Sequence, residues 1–352
     1  TKNNPVLSLD IPSGICSNTG VSLGNHIQAD VTATFVARKR GCFTSEGRSA
    51  SGKVVLDNLG ISHSIISEIN SNNYLLDMEK GLSKLRERKG ESHKGDYGHV
   101  LVIGGDKGFG GAAILAAKAS YYSGSGLVSL ATRPIHVNAA LSSCPELMVH
   151  GVESGQDLEN ILKKASVIVL GPGLGQSAWS EQMLQKSFIE AINRNLPVVL
   201  DADGLNLLCH LKLKSNLPNK LIITPHPGEA AKLLNKEIKQ IQQDRFKTVA
   251  ALQSKFKSTA VLKGSGTLVC YQRGSKLKIG ICRSGNPGMS KGGMGDVLAG
   301  LIGSFLSQGL GLSEATEVAV DLHSKAADIA SLELGITITP SDLIRNIRYF
   351  LR

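Results

Sequence analysis

From His99 onward, short uninterrupted apolar runs alternate with helical stretches, and nearly every run stops in a cluster of Gly, Asp, His or Lys. Strands are expected over 99–103, 127–131, 165–170, 196–200, 221–223 and 260–262. Apolar strands without alternation are buried on both faces, which predicts a mostly parallel sheet with helices on either side. In open sheets of this kind ligands bind beyond the carboxyl ends of the strands. The polar clusters are therefore expected to converge on one site.

Residues 1–61 read differently. Strands are expected over 5–10, 29–36 and 53–56, with no convincing amphipathic helix between them. Parallel strands need crossovers of roughly a dozen residues, usually helical. Residues 1–61 are therefore expected to be an incomplete α/β fragment. The Ser/Asn-rich stretch 62–73 is expected to be a linker, and 74–352 the main domain. A length of 352 residues fits about two domains at ~150 residues each.

Composition excludes several classes. Aromatic residues make up 4 %, too few for a base-stacking strand binder. The net charge of +10 is spread out, with compact basic runs only at 38–40 and 86–89, so no nucleic-acid partner is expected. The apolar run 297–312 is broken by Gly300, Gly303, Ser304, Ser307 and Gln308 and falls short of the ~20 residues that span a bilayer, so no membrane association is expected. Six scattered cysteines without a C-x-x-C fit a reducing cytoplasm and no zinc site.

Five clusters carry chemistry. Gly285 to Asp296 contains Gly288, Gly292, Gly293 and Gly295 ahead of an apolar helix. Free N–H groups at a helix start favour an anion. Asp296 beside such a cradle makes sense as a base on a substrate hydroxyl, or as an N-cap on a buried helix. Lys263, Gly264, Ser265, Gly266 and Thr267 follow a strand and suit phosphate or ribose contact, or an ordinary hairpin turn. Gly108-Phe109-Gly110-Gly111-Ala112-Ala113 imitates a dinucleotide fingerprint, but the next strand runs into Thr132-Arg133-Pro134 without the required acid. His226 and Glu229 follow a strand between fixed prolines and are expected to touch ligand. Asp201 and Asp203 share that placement, with Asp203 alternatively a helix N-cap.

Taken in order, these stretches resemble the ADP-dependent NAD(P)H-hydrate dehydratase family, which has a ribokinase-like fold. Ser92 to Gly98, Gly104-Gly105 and Gly171-Pro172-Gly173-Leu174-Gly175 complete the ordered set across nearly all of 74–352. Residues 1–61 resemble the end of an NAD(P)H-hydrate epimerase domain, with a Rossmann-like fold, through Asp10-Ile11-Pro12-Ser13-Gly14, 29–35 and 52–55. The resemblance implies phosphorylation of the hydrate hydroxyl from ADP, then loss of phosphate to give NAD(P)H and AMP. It implies Asp296 as base, with Gly292, Gly293 and Gly295 holding the moving phosphoryl group. Lys263 to Thr267 and Gly295 would hold the nucleotide, and Ala112, Gly173 and His226 would line the hydrate site. Glu229 would organise Mg²⁺. In the front fragment Asp10 (substrate) and Ser13 (K⁺) are the matched positions, and no epimerase activity is expected from it.

The resemblance also implies a homo-oligomer, a tetramer in relatives, and a companion segment or chain that completes residues 1–61. Met294 stands where many relatives carry Thr, and Phe109-Gly110 replaces a common pair ending in Thr, which puts nucleotide affinity in question. A vitamin-precursor kinase of the same fold and a non-catalytic nucleotide-binding protein are the alternative readings.

Overall fold

The computed structural model describes residues 4–69, 71–211 and 216–351. Its main sheet contains β4 (Asn73–Leu75), β5 (His99–Ile103), β6 (Leu127–Thr132), β7 (Met148–Gly151), β8 (Val167–Leu170), β9 (Val198–Leu200), β10 (Leu221–Ile223), β11 (Thr259–Leu262), β12 (Leu268–Arg273) and β13 (Lys276–Ile281). Their order is β4-β13-β12-β11-β10-β9-β8-β5-β6-β7. All neighbours are parallel except β11–β12 and β12–β13. The six strands expected from the sequence form its centre. The antiparallel hairpin β12–β13 and the outer strands β4 and β7 were not expected. These carry charged or half-exposed residues and lack the continuous apolar signal of a central strand.

Both faces of the sheet are covered, and β5 shows how. Leu101 and Ile103 pack into one core with Leu170, Trp179 and Phe246, while Val100 and Val102 enter the other with Ala116, Val297 and Phe305. Helix Met294–Ser307 is buried along nearly its whole length. A Cβ on Gly300 would lie 2.2 Å from the Ala116 carbonyl, so glycine there lets this helix lie against helix Gly110–Tyr122. The glycines that interrupt the 297–312 run thus serve close packing. No helix among the described residues is long and apolar enough to cross a membrane.

The front of the chain forms a separate parallel sheet in the order β1 (Leu7–Leu9), β2 (Val31–Phe35), β3 (Lys53–Asp57). Contrary to the sequence reading, a helix does link β2 to β3. It is Ser45–Ala50, preceded by a 3-10 turn over Arg40–Phe43. Six residues that include two serines and Gly47 give too little periodicity to announce a helix. The polar stretch 62–73 carries helix His63–Glu68, and its last residue begins β4.

The two sheets meet at a point that matters for chemistry. Ser45 N–H donates to the Ser265 carbonyl at 3.2 Å, and the Thr44 hydroxyl donates to the Ser265 and Gly266 carbonyls at 3.1 and 3.3 Å. Arg48 donates to the Gly285 carbonyl at 2.6 Å. The front unit therefore rests on two glycine-bearing loops of the main domain, the one at 263–267 and the one that starts at Gly285.

Candidate active site

Strands β9 to β11 deliver the residues that follow them to one place. Asp201 follows β9, Thr224 and Glu229 follow β10, and Lys263 follows β11. The Lys263 ammonium donates to Asp201 Oδ1 at 2.7 Å, and the Thr224 hydroxyl donates to the same oxygen at 2.8 Å. Glu229 Oε2 lies 3.9 Å from the ammonium. Burial disfavours the charge on Lys263, but Asp201, Glu229 and Asp296 outweigh it and hold the ammonium above its ordinary range.

Asp296 lies in the first turn of helix Met294–Ser307. The N-cap is Gly293, in left-handed backbone at φ 92°, so Asp296 is not the cap. Burial, reinforced by Asp201, Asp203 and Glu229 and opposed by Lys263, pushes the Asp296 carboxyl up to about 6. A Cβ on Gly295 would lie 3.2 Å from Lys263 Nζ and 3.5 Å from Asp201 Oδ2. The helix start therefore sits directly over the Lys263–Asp201 pair. His323 is buried and held neutral, its imidazole pulled down to about 4 by burial. Its Nε2–H donates to the Met294 carbonyl at 2.9 Å and fixes this turn. The Met294 side chain packs with Ala327, Ala330, Ile338 and Leu343. It belongs to the core and is 5 % exposed.

A second group of expected residues meets between β5 and β8. A Cβ on Gly173 would lie 3.1 Å from that of Ala112 and 2.4 Å from the Phe109 carbonyl, and Gly173 has φ 59°. Two strand-end loops thus touch through a residue that must lack a side chain. Asp203 is not an N-cap. That position belongs to Asp201, and Asp203 Oδ2 accepts the Gly175 N–H at 3.0 Å, tying the Gly171–Gly175 loop to the Asp201 cluster.

Other expected residues are placed less directly. His226 caps helix Pro227–Leu234, its Nδ1 accepting the Gly228 N–H at 3.0 Å while Glu229 Oε2 accepts the His226 N–H at 2.8 Å. His226 Nε2 lies 3.5 Å from Glu229 Oε1, so the two side chains face each other. Glu229 is raised above its ordinary range by burial first, with Asp201 adding and Lys263 opposing. The Lys263–Thr267 stretch is the turn of the β11–β12 hairpin, closed by Gly264 N–H to Thr267 Oγ1 at 3.3 Å. Ser265 and Gly266 face the front unit, where the Ser265 hydroxyl donates to the Ser45 carbonyl at 3.2 Å. Asp10 and Ser13 lie in the front unit, and Asp10 pairs with Lys39.

Two residues were missed by sequence reasoning. Arg245 is 1 % exposed and donates to Thr44 Oγ1 at 3.1 Å and to the Leu262 and Lys263 carbonyls at 3.1 and 3.3 Å. It is the strut beneath the hairpin turn. Asp106 accepts from Arg133 Nε at 2.8 Å and from the Ser177 hydroxyl at 2.7 Å, and its N–H donates to the Gly173 carbonyl at 2.7 Å. Arg133 in turn lies 4.4 Å over the Trp179 ring. Arg245 opens helix Arg245–Phe256 and Asp106 lies in a loop, and a lone charged residue in either place gives no sequence signal of its partners. A charged residue on the strand-end side of a buried sheet is the clue that was available.

Comparisons with known proteins agree on one family. Residues 100–348 match the model of a family described as NAD(P)H-hydrate dehydratase, and residues 1–41 match one described as YjeF-related protein N-terminus. The bifunctional NAD(P)H-hydrate repair enzyme of Coxiella burnetii is 42 % identical over 344 residues, covering 97 % of this chain and 68 % of that protein. Its counterpart in Escherichia coli is 38 % identical over 331 residues, covering 94 % and 62 %. A ribokinase-like superfamily protein of Enterococcus faecalis superposes with TM-score 0.72 at 30 % identity, over 80 % of this chain and 96 % of that one. An ADP/ATP-dependent NAD(P)H-hydrate dehydratase from Bacillus subtilis, co-crystallised with ATP and Mg²⁺, superposes at 0.66 and 26 % identity, over 78 % and 98 %.

Proposed function

Because the chain belongs to the NAD(P)H-hydrate dehydratase family, we propose that it restores NAD(P)H from its hydrate with ADP as phosphoryl donor, releasing AMP and phosphate. The observation that carries the mechanism is Asp296, in the first turn of a helix entered through glycines and above the Lys263–Asp201 pair. With its carboxyl near 6, it is ionised at neutral pH yet basic enough to take a proton. It removes the proton from the hydrate hydroxyl as that oxygen bonds to the terminal phosphorus of ADP and AMP departs. Backbone N–H groups of Gly293 and Gly295 face the charge on the transferred group, worth roughly 3 kcal/mol per donor by analogy with oxyanion holes. Phosphate then leaves with the C–O bonding electrons, a proton is lost from the neighbouring ring carbon, and the double bond returns. Lys263 and the hairpin turn hold the nucleotide, while Ala112, Gly173 and His226 line the hydrate pocket.

Mg²⁺ suits this site if it arrives on the nucleotide phosphates, where it neutralises their charge. No group of three or more candidate ligands stands ready for a metal among the described residues, and Glu229 already accepts the His226 N–H. Glu229 would therefore hold the ion through water. Ser13 is exposed in the front unit, and K⁺ there would need further oxygen ligands from a segment that completes that unit. No epimerase turnover is expected of residues 1–61 alone. A tetramer and a companion segment completing the front unit belong to the same proposal, and light scattering of the purified chain tests the assembly.

Absorbance at 340 nm tests the activity, with purified NADPH hydrate, Mg²⁺ and ADP, ATP or no nucleotide. A rise with ADP is expected. A folded chain that binds ADP without a rise would turn the reading towards a kinase.

A further inference from the structure

Away from Asp296, a cleft of about 840 Å³ opens between the front unit and the main sheet. One wall is the chain beyond β2, residues 36–40, and the carboxyl end of β3 with the residue after it, 56–58. The other is β4 with Ile281 of β13. Neither Lys263 and Asp296 nor Asp10 and Ser13 line it. Its volume lies in the ~300–1,000 Å³ range of small-molecule sites.

The chemistry of the walls is mixed in a specific way. Buried Phe43 and Ile281 line the cleft with Leu75 and Tyr74, which suits a flat apolar group. Against these stand Arg38, Lys39 and Arg40, opposed by the single carboxylate of Asp57. Arg38 is exposed and has no hydrogen-bond or ion-pair partner among the described residues. Arg40 is fixed in place, its Nε donating to the Asn18 carbonyl at 2.7 Å and its guanidinium 4.2 Å over the Phe246 ring. That leaves its terminal nitrogens as a fork of the kind that binds phosphate in two places. The backbone that presents them is strained. Val36 has φ 64°, costly for a β-branched residue, and Ala37 N–H turns back to the Phe35 carbonyl at 2.7 Å. Such strain persists where the surroundings enforce it and clusters at ligand-binding turns. Lys39 holds the turn by donating to the Phe35 carbonyl at 2.7 Å and pairing with Asp10.

We propose that this cleft is a second ligand site, built for an organic phosphate of mononucleotide size, with the phosphate on Arg38 and Arg40 and the flat ring against Tyr74 and Phe43. The site stands whether or not the strand-end residues carry out the dehydration.

The test is equilibrium dialysis of the full chain against labelled AMP, with inorganic phosphate as a second arm. Two AMP per chain are expected. Arg38→Glu should weaken one of the two at least 10-fold, and Ala37→Trp, at an exposed lining position, should remove it. Lys263→Met should remove only the other. One AMP per chain, lost in Arg38→Glu, would keep the cleft and sink the strand-end nucleotide site. One AMP per chain untouched by both cleft variants would overturn the proposal, as would two sites indifferent to them. Inorganic phosphate competing at the cleft as tightly as AMP would also overturn it, since the apolar wall would then contribute nothing.

Discussion

Nζ of Lys263 stands 2.7 Å from Oδ1 of Asp201, an oxygen that also accepts the Thr224 hydroxyl. Asp201 is 1 % exposed. A buried pair of this kind contributes little against an apolar replacement of both partners, but removing one partner strands the other charge, at about 3–5 kcal/mol. Lys263→Met leaves Asp201, Glu229 and Asp296 facing one another without a cation. It should lower the urea midpoint by an amount within that range, and Lys263→Met with Asp201→Leu should recover part of the loss. A single variant as stable as the parent would show that the pair is solvated.

Asp296→Asn keeps the shape of the helix start and removes the base. Turnover should fall by roughly 10²–10⁴, the usual contribution of a positioned base. In the parent, kcat/KM, which reports the free enzyme, should rise with pH and level off above about 6. The stability sign is opposite. A carboxyl held above its ordinary value binds more protons folded than unfolded, so stability falls as pH rises from about 4 through 6. Asp296→Asn should therefore be more stable than the parent at pH 7.5, by roughly 1–2 kcal/mol, and lose that advantage below pH 4. Denaturant titrations at the two pH values decide it.

Asp106 ties its own loop to the loops after β6 and β8 and, in the proposed mechanism, touches no reacting atom. Burial opposes its charge, but Arg133, Ser177 and a backbone N–H outweigh this and hold the carboxyl below its ordinary value. Its stabilisation is present above the unfolded pKa near 4 and is lost as pH falls through the folded value. Through Gly173 it positions the wall shared with Ala112. Asp106→Asn should raise KM for the hydrate about 10-fold or more, with a smaller change in kcat and no change in KM for ADP. Equal effects on both substrates would mean a general loss of structure.

The central strands and the strand-end clusters were legible because continuous apolar runs have few alternative uses. Position in the sheet then brought Lys263, Asp201 and Asp296 together without any pairwise signal in the sequence. What could not be read was the work of side chains within that frame. The roles of Asp203 as a loop latch, His226 as a helix cap and Met294 as core depend on which way each points, and neighbours distant in sequence decide that. Helix Ser45–Ala50 escaped notice because it is too short to show a period, yet it and Thr44 brace the hairpin turn.

That brace sets the last expectation. Gly266 has φ 66°, and a Cβ there would lie 2.0 Å from the Phe43 carbonyl and 2.7 Å from Thr44 Cα. Neither the conformation nor the space accepts a methyl group, and the atoms in the way are backbone. Gly266→Ala must push the front unit off the turn or distort the turn itself. Either change releases the Thr44 and Ser45 hydrogen bonds to Ser265. Arg245 still holds the Leu262 and Lys263 carbonyls from below, so the strand end survives while residues 264–267 loosen. The expected result is faster amide exchange confined to 264–267 and the 43–45 segment, with KM for ADP up at least 5-fold and hydrate KM unchanged. Slow exchange at 264–267 with unaltered ADP kinetics would show that the front unit does not shape the nucleotide turn.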